Sequence, residues 1–193
     1  MPQILMLSGV GPAEILDKCG TEVRKDLDAV GRNLHVHFAL YMAFGLKNPE
    51  RKLALGRSEH LAWLKGLPVD WVVDELHEPD GLQEAIERES GGDAFAKFLV
   101  DFPRPMAESM VLYTSAEIPG VATDGSHIAT SIMLLTPTSR GSVYIKSADV
   151  LDPPVIDSNY LATEVDRIGL VHAARRTLQA MLLNDQFSPG FYC

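Results

Sequence analysis

Few residues in this chain are placed to do acid–base or ligand chemistry, and they are scattered. His35 and His37 flank Val36, and an extended backbone would put both imidazoles on one face. A metal site needs at least a third ligand. His60, His77, His127 and His172 show no spacing that nominates one, so no metal centre is expected and structural or pocket-lining histidines are. Asp70 and Asp74 lie four apart and share a face if the segment is helical. Such a carboxylate pair could exchange a proton with a substrate, although a solvated helix face explains the spacing equally well. Ser126-His127 and Ser139-Arg140 set hydroxyls beside basic groups, but no G-x-S-x-G elbow anchors a hydrolase triad. Turn and strand-entry roles account for both pairs. The catalytic candidates are therefore His35, His37, His127, Asp70 and Asp74.

The stretch Ile4-Leu5-Met6-Leu7-Ser8-Gly9-Val10-Gly11-Pro12-Ala13-Glu14 imitates a dinucleotide fingerprint, an apolar run leading through Gly-x-Gly into a helix. The third glycine of that fingerprint lets helix and strand pack closely. Here Glu14 takes that position, a bulky anion near where a pyrophosphate would lie. A tight turn is the expected reading, and no flavin or nicotinamide dinucleotide is expected to bind this chain by itself.

The surrounding elements follow from pattern. Residues 3–8 suit either a short buried strand or the end of a helix, which periodicity alone does not separate. Pro12 to Lys18 reads as a short helix with Gly20 at its C-terminal cap, and residues 22–30 as a short strand and turn closed by Gly31. Residues 38–46 are strand-like, while 49–66 and 80–99 carry helix formers. Trp63, Trp71, Phe95, Phe98 and Phe102 read chiefly as core, with a minority free to line an apolar pocket. Strand candidates follow at 107–115, 127–136 and 142–147, the last two read as a hairpin across Thr138–Gly141. Residues 163–183 form the strongest helix pattern. Thr163 is a candidate cap with Asp166 three residues on, and Val165, Ile168, Val171, Leu178 and Met181/Leu182 trace an apolar stripe. The fold class expected is α+β, an antiparallel β-sheet flanked by helices.

Composition narrows the partners. The 193 residues are 46% apolar with a formal net charge of −9, which suits a globular chain and not one recruited to nucleic acid or an anionic membrane. No apolar run approaches the ~18 residues needed to span a bilayer. The start lacks the basic segment and cleavage site of a signal peptide, which leaves the compartment open. Cys19 and Cys193 could pair only if the fold returns the C-terminus to the first helices.

Four stretches, taken in order, resemble one family. Pro2-Gln3-Ile4-Leu5-Met6-Leu7-Ser8-Gly9-Val10-Gly11 is similar to the second signature of the glucose–methanol–choline (GMC) flavin oxidoreductases. Val30-Gly31-Arg32-Asn33-Leu34-His35-Val36-His37 resembles that family's V-G-x-N-L-x-D-H segment. Pro137-Thr138-Ser139-Arg140-Gly141-Ser142-Val143 resembles its P-x-S-R-G-x-V hairpin, and residues 152–161 its P-x-I-x-x-N-Y-L stretch. The resemblance implies that residues 1–37 are the edge of a flavin domain and 38–193 a substrate-binding domain. It implies an FAD-dependent oxidation of an alcohol CH–OH group in intact relatives. It also places their G-x-G-x-x-G segment before residue 1 and their catalytic histidine after residue 193. Val36 stands where the family has aspartate. Asn33 and His37 match, and are the flavin-side positions carried over. No cofactor is expected for this chain alone.

Three functions are consistent with this reading. One is a truncated GMC-type oxidoreductase acting on a small apolar or alcohol-type molecule. The second is a cofactor-independent cyclase, isomerase or dehydratase using the retained pocket. The third is a non-catalytic binding or dimerisation module. The partner expectations are a homodimer or a complementing flavin-domain chain.

Overall fold

The computed structural model describes residues 1–56, 69, 72–75, 81–90, 102, 104–115, 118–183 and 187–188. In chain order the described elements are α1 (Pro2–Leu7), β1 (Val10–Gly11), α2 (Ala13–Lys18), β2 (Lys25–Asp26), β3 (Phe38–Leu46), a 3-10 turn (Pro49–Arg51), β4 (Val72–Glu75), α3 (Leu82–Ser90), β5 (Ala107–Leu112), β6 (His127–Leu134), β7 (Ser142–Tyr144), β8 (Val155–Asp157), α4 (Glu164–Leu182) and β9 (Phe187–Ser188). They pack as two compact units. The first takes Met1–Val36 with Pro137–Thr163, the second His37–Thr136 with Glu164–Cys193. This is a division by contact; the division at 37/38 expected from the sequence is one by role. Among the described residues no helix is long and apolar enough to cross a membrane.

In the first unit the ambiguous run at 3–8 is a helix, with Pro2 in its first turn where a missing N–H costs nothing. β1 runs parallel to β2, Val10 opposite Lys25 and Gly11 opposite Asp26. β7 pairs antiparallel with β8, Val143 opposite Ile156. Met6, Leu16, Val30 and Ile145 form the core, one from each of four stretches of chain. The Cys19 thiol donates to the Ile145 carbonyl at 3.6 Å, while Cys193 lies outside the described residues.

The expected hairpin between 127–136 and 142–147 does not form. The chain passes from one unit to the other between Thr136 and Pro137, so β6 and β7 end in different sheets. Residues 138–140 form no turn, and the partner of β7 comes later in the chain, beyond Asp152-Pro153-Pro154.

The second unit is built on an antiparallel sheet of order β4-β5-β6-β3-β9, with Met42 opposite Thr130 and Val111 opposite Thr130 across the centre. Alternation sends Phe44, Leu46, Val111 and Ile128 to one face, where they pack with Met181 of α4. The buried side of α4 differs from the expected apolar stripe. It runs Val165, Gly169, Ala173, Thr177, Met181 in steps of four, joined by Asp166 and Leu170, while Val171 and Leu182 are about half exposed. Small residues bring the helix backbone close to the sheet: a Cβ on Gly169 would come within 2.9 Å of the Met106 Cε. Thr177 is joined to Ser109 of β5 by a 3.0 Å hydroxyl–hydroxyl bond.

The N-terminus of α4 is closed from a distance. The N–H groups of Glu164 and Val165 donate to the two carboxylate oxygens of Glu89 at the end of α3, supplying a partner to donors a helix leaves open. Arg88 pairs with Glu164 at 3.2 Å. Of the other sequence expectations, 82–90 is helical, while 91–99 and most of 49–66 lie outside the described residues. Phe102, expected in the core, is 59% exposed. Trp63, Trp71, Phe95 and Phe98 lie outside the described residues.

Candidate functional site

The stretches that carried the resemblance converge in the first unit. Gly31 adopts a left-handed backbone, φ 83°. Its carbonyl accepts the Val143 N–H at 2.7 Å, and a Cβ there would lie 2.2 Å from the Val143 oxygen. Leu34 and Gly141 exchange two backbone bonds of 2.9 Å. Gly141 in turn lies so close to β8 that a Cβ would come within 2.1 Å of the Asp157 carbonyl. Asn159, left-handed at φ 47°, donates its side-chain amide to the Arg140 carbonyl at 3.0 Å. Arg140 turns back on its own loop and donates to the carbonyls of Pro137 and Ser139. Thr138 and Thr163 join hydroxyls at 2.7 Å. The glycines and asparagines of these motifs therefore hold the strands of one unit together. Asn33 is left-handed at φ 62° and exposed beside the Leu34–Gly141 bridge, and His35 is exposed two residues on.

The Gly9-Val10-Gly11 turn is closed by its own chain. A Cβ on Gly9 would lie 2.4 Å from the Glu22 carbonyl, and one on Gly11 would lie 2.9 Å from Met6. The first N–H of α2, on Ala13, donates to the Asp26 carboxylate at 3.0 Å. A carboxylate thus holds the helix mouth where a phosphate would bind. These residues do not fit a dinucleotide pyrophosphate.

In the second unit the sheet's two faces differ. α4 covers one. The other carries Ala39, Tyr41, Ala43 and Gly45 of β3, Ala129, Ser131 and Met133 of β6, Glu108, Met110 and Leu112 of β5, and Val72 and Asp74 of β4. Ile118 and Val121 pack on the end near Ala43 and Ala129. Toward the other end Tyr41, Val72 and Asp74 are exposed, and Glu108, Met110 and Met133 are half-buried. The face offers apolar contact, a phenol and two carboxylates.

His127 begins β6 on this face, opposite Gly45. Ser126 donates its hydroxyl to the Asp124 carboxylate through a short bond and meets His127 Nδ1 at 2.7 Å. A hydroxyl has one proton, and a carboxylate only accepts. His127 therefore donates from Nδ1 to Ser126, which fixes its tautomer. The hydroxyl and backbone N–H of Ser126 hold the Asp124 carboxyl below the usual carboxylate range.

Within the second unit the structure does not bring Asp74 and His127 together. Asp74 lies opposite Glu108, and Glu108 opposite Met133, six residues along β6 from His127. That is ~20 Å at strand spacing. Asp74 is on a strand, so the helical spacing that linked it to Asp70 does not apply, and Asp70 lies outside the described residues, as do His60 and His77. His35 and His37 are both exposed. Among the described residues no group of three His, Cys, Asp or Glu side chains could hold a metal. Sequence reasoning missed Asp124, Asp26 and Glu89. The D-x-S spacing of Asp124 and Ser126 signalled the first; the other two act across long sequence separations and leave no local signal.

A family model described as GMC oxidoreductase matches residues 137–190. The GMC-type oxidoreductase acuG of Aspergillus aculeatus is 34% identical over 186 residues, covering 93% of this chain and 35% of that protein. Versicolorin B synthase of Aspergillus parasiticus is 32% identical over 188 residues, covering 91% of this chain and 28% of that protein. The fold matches a variant of the Aspergillus oryzae formate oxidase, studied for its FAD modification, with TM-score 0.74 and 22% identity over 99% of this chain and 37% of that one. Pyridoxine 4-oxidase of Mesorbium loti gives 0.67 and 22% over 96% of this chain and 31% of that one. The chain spans about a third of the length of these relatives. With the motif order, the fold and these matches in agreement, the chain belongs to the GMC oxidoreductase family and corresponds to a part of that family's length.

Proposed function

We propose that this chain is the substrate-side portion of an FAD-dependent oxidoreductase acting on an alcohol CH–OH group, and that it does not hold FAD alone. The observation that carries the reading is the two-sided character of the second unit's sheet. One face is covered by α4, and the other leaves Tyr41, Met110, Met133 and Glu108 partly open. Such a face is suited to form one wall of a pocket for a small, largely apolar molecule. Residues 1–37 serve as the edge of the flavin side and 38–193 as the substrate side in this reading, with Asn33 and His37 as the flavin-facing positions. The closed Gly9–Gly11 turn and the Asp26 carboxylate at Ala13 support the inability to hold the dinucleotide.

The test joins this chain behind the flavin-binding portion of the acuG relative. The chain alone should purify without flavin absorbance, and the fusion should load FAD and be reduced by alcohols. Stoichiometric flavin on the chain alone, or a loaded fusion that no alcohol reduces, overturns the reading. The match to a protein named a synthase favours a second reading, a cofactor-independent cyclisation or isomerisation on the same open face. Turnover by the flavin-free chain would select it.

A further inference from the structure

The open face of the second unit's sheet carries two carboxylates that no basic side chain among the described residues meets. Asp74 of β4 stands directly opposite Glu108 of β5, and Glu108 directly opposite Met133 of β6. Residues that face each other across antiparallel strands point to the same side, with Cβ atoms about 4.5–5.5 Å apart. Among the described residues neither carboxylate takes a hydrogen bond or an ion pair. Like charges directly opposite destabilise a sheet. A local rule broken with no structural gain marks a place where function sets the residues.

The next row along the strands is Val72, Met110, Ser131 and Tyr41, again opposite one another in turn across β4, β5, β6 and β3. Ser131 is the small residue between a thioether and a phenol. It is 2% exposed, and its hydroxyl has no hydrogen-bond partner among the described residues. A buried hydroxyl left without a partner is costly, and a ligand that reaches it supplies the missing bond. Glu108 and Ser131 are diagonal neighbours on this face, about 7–8 Å apart, with Met110 and Met133 at the other two corners. Two carboxylates without a third ligand do not make a metal centre. The adaptable thioethers beside them suit the carbon skeleton of an organic cation.

We propose that Asp74, Glu108 and Ser131 select an amino alcohol: a small molecule with a protonated amine at the two carboxylates, an apolar body over Met110 and Met133, and a hydroxyl or carbonyl oxygen at Ser131. The inference rests on the function proposed above, and adds to it the charge of the substrate and the residues that recognise it. The amine relieves the repulsion between the carboxylates, and the apolar body covers surface that the fold leaves in water.

The test titrates the full chain, followed by backbone amide NMR, with two probes. One is 4-(aminomethyl)benzyl alcohol, a cation at neutral pH, and the other is 4-ethylbenzyl alcohol, its neutral counterpart of matching shape. The amine should shift the amides of Asp74, Glu108, Met110 and Ser131 saturably. It should bind about tenfold or more tightly than the ethyl compound, by a margin that narrows as salt is raised. Asp74→Asn and Glu108→Gln should each reduce that preference about three- to tenfold, and together remove it. Each substitution relieves the repulsion on its neighbour, so the fold should survive, and thermal unfolding checks it. Ser131→Ala should weaken both probes alike by about fivefold, and unchanged binding would remove Ser131 from the site. Glu50→Gln removes the same charge at an exposed position on the 3-10 turn, and should keep the native preference. Equal binding of the two probes by the native chain overturns the inference, as does a preference that survives the double substitution. The covalent fusion keeps the two questions apart. Alcohol oxidation by the fusion with no selective binding by the chain removes only the amine site. Selective binding by the chain with no oxidation by the fusion removes the functional reading and leaves the amine site standing.

Discussion

Replacing Gly31 with alanine should unfold the first unit selectively. The residue sits at φ 83°, where a side chain costs about 1–2 kcal/mol. The added Cβ would also lie 2.2 Å from the Val143 oxygen and 2.6 Å from the Met6 Cε. Met6 is the end of a flexible side chain and can move. The carbonyl belongs to β7 and must retreat by most of an ångström, which breaks the 2.7 Å bond from Val143 to Gly31. Losing that bond costs about 1 kcal/mol, and displacing packed backbone a further ~1–3 kcal/mol. The sum, about 4 kcal/mol, is a large share of a small unit's stability. Gly20 is the control: its φ is 72° in the same unit, and a Cβ there would meet no atom within 4 Å, so Gly20→Ala should cost only about 1 kcal/mol. Amide hydrogen exchange reads both. In Gly31→Ala the amides of Leu34, Gly141 and Val143 should lose protection by roughly two to three orders of magnitude. A Gly31→Ala chain within about 1 kcal/mol of the Gly20→Ala chain would refute the argument that the close carbonyl, and not backbone strain alone, demands glycine.

Other consequences are smaller. The Thr130 hydroxyl is fully buried on the α4 side of the sheet and has no hydrogen-bond partner, so Thr130→Val should raise stability by about 1 kcal/mol in denaturant unfolding. Glu89→Ala should destabilise the first turn of α4 by about 1 kcal/mol, seen as faster exchange at Glu164 and Val165. The Asp124 carboxyl is held low by Ser126. The stabilisation this reflects is fully present above the ordinary carboxylate range and fades as pH falls through the lowered value. In Ser126→Ala the Asp124 titration followed by NMR should move up toward the ordinary value, and an unchanged midpoint would contradict the assignment. Gly169→Leu should weaken packing of α4 on the sheet far more than Gly169→Ala. For alanine the Met106 side chain can yield, and the gain in helix propensity of about 1 kcal/mol offsets the contact.

Much of the second unit is legible in the sequence because its signals are local. Residues 38–46, 107–112 and 127–134 show apolar strand patterns, and Glu164–Leu182 a long helical one. What escapes is decided at a distance. Large apolar residues suggest the buried side of α4, but Gly169, Ala173 and Thr177 occupy it, because close approach to the sheet rewards small size over apolar area. The break between β6 and β7 is visible while the partner of β7 is not, since pairing depends on where the chain goes next. At the candidate site, Ser126-His127 is visible as a pair, and its direction requires Asp124. The motifs around Gly31, Gly141 and Asn159 are recognisable by resemblance before their physical role is apparent. Gly31 and Gly141 place backbone against backbone more closely than a side chain would allow, and Asn159 ties its loop to the Arg140 carbonyl through its side-chain amide.

The first unit is assembled from two stretches separated by about a hundred residues, and this has a consequence for synthesis. Met6, Leu16 and Val30 emerge from the ribosome early, yet Ile145 completes their core and Gly141 their strand pairing. At ~5–20 residues per second, half a hydrophobic core must wait roughly 5–20 s for its other half. Over that interval β3, β5 and β6 can pair while the N-terminal stretch remains open, and α4, which covers their apolar face, follows later still. The nascent chain is therefore most exposed to misassociation before residue 145 appears, and a pause in translation just after it would favour correct closure.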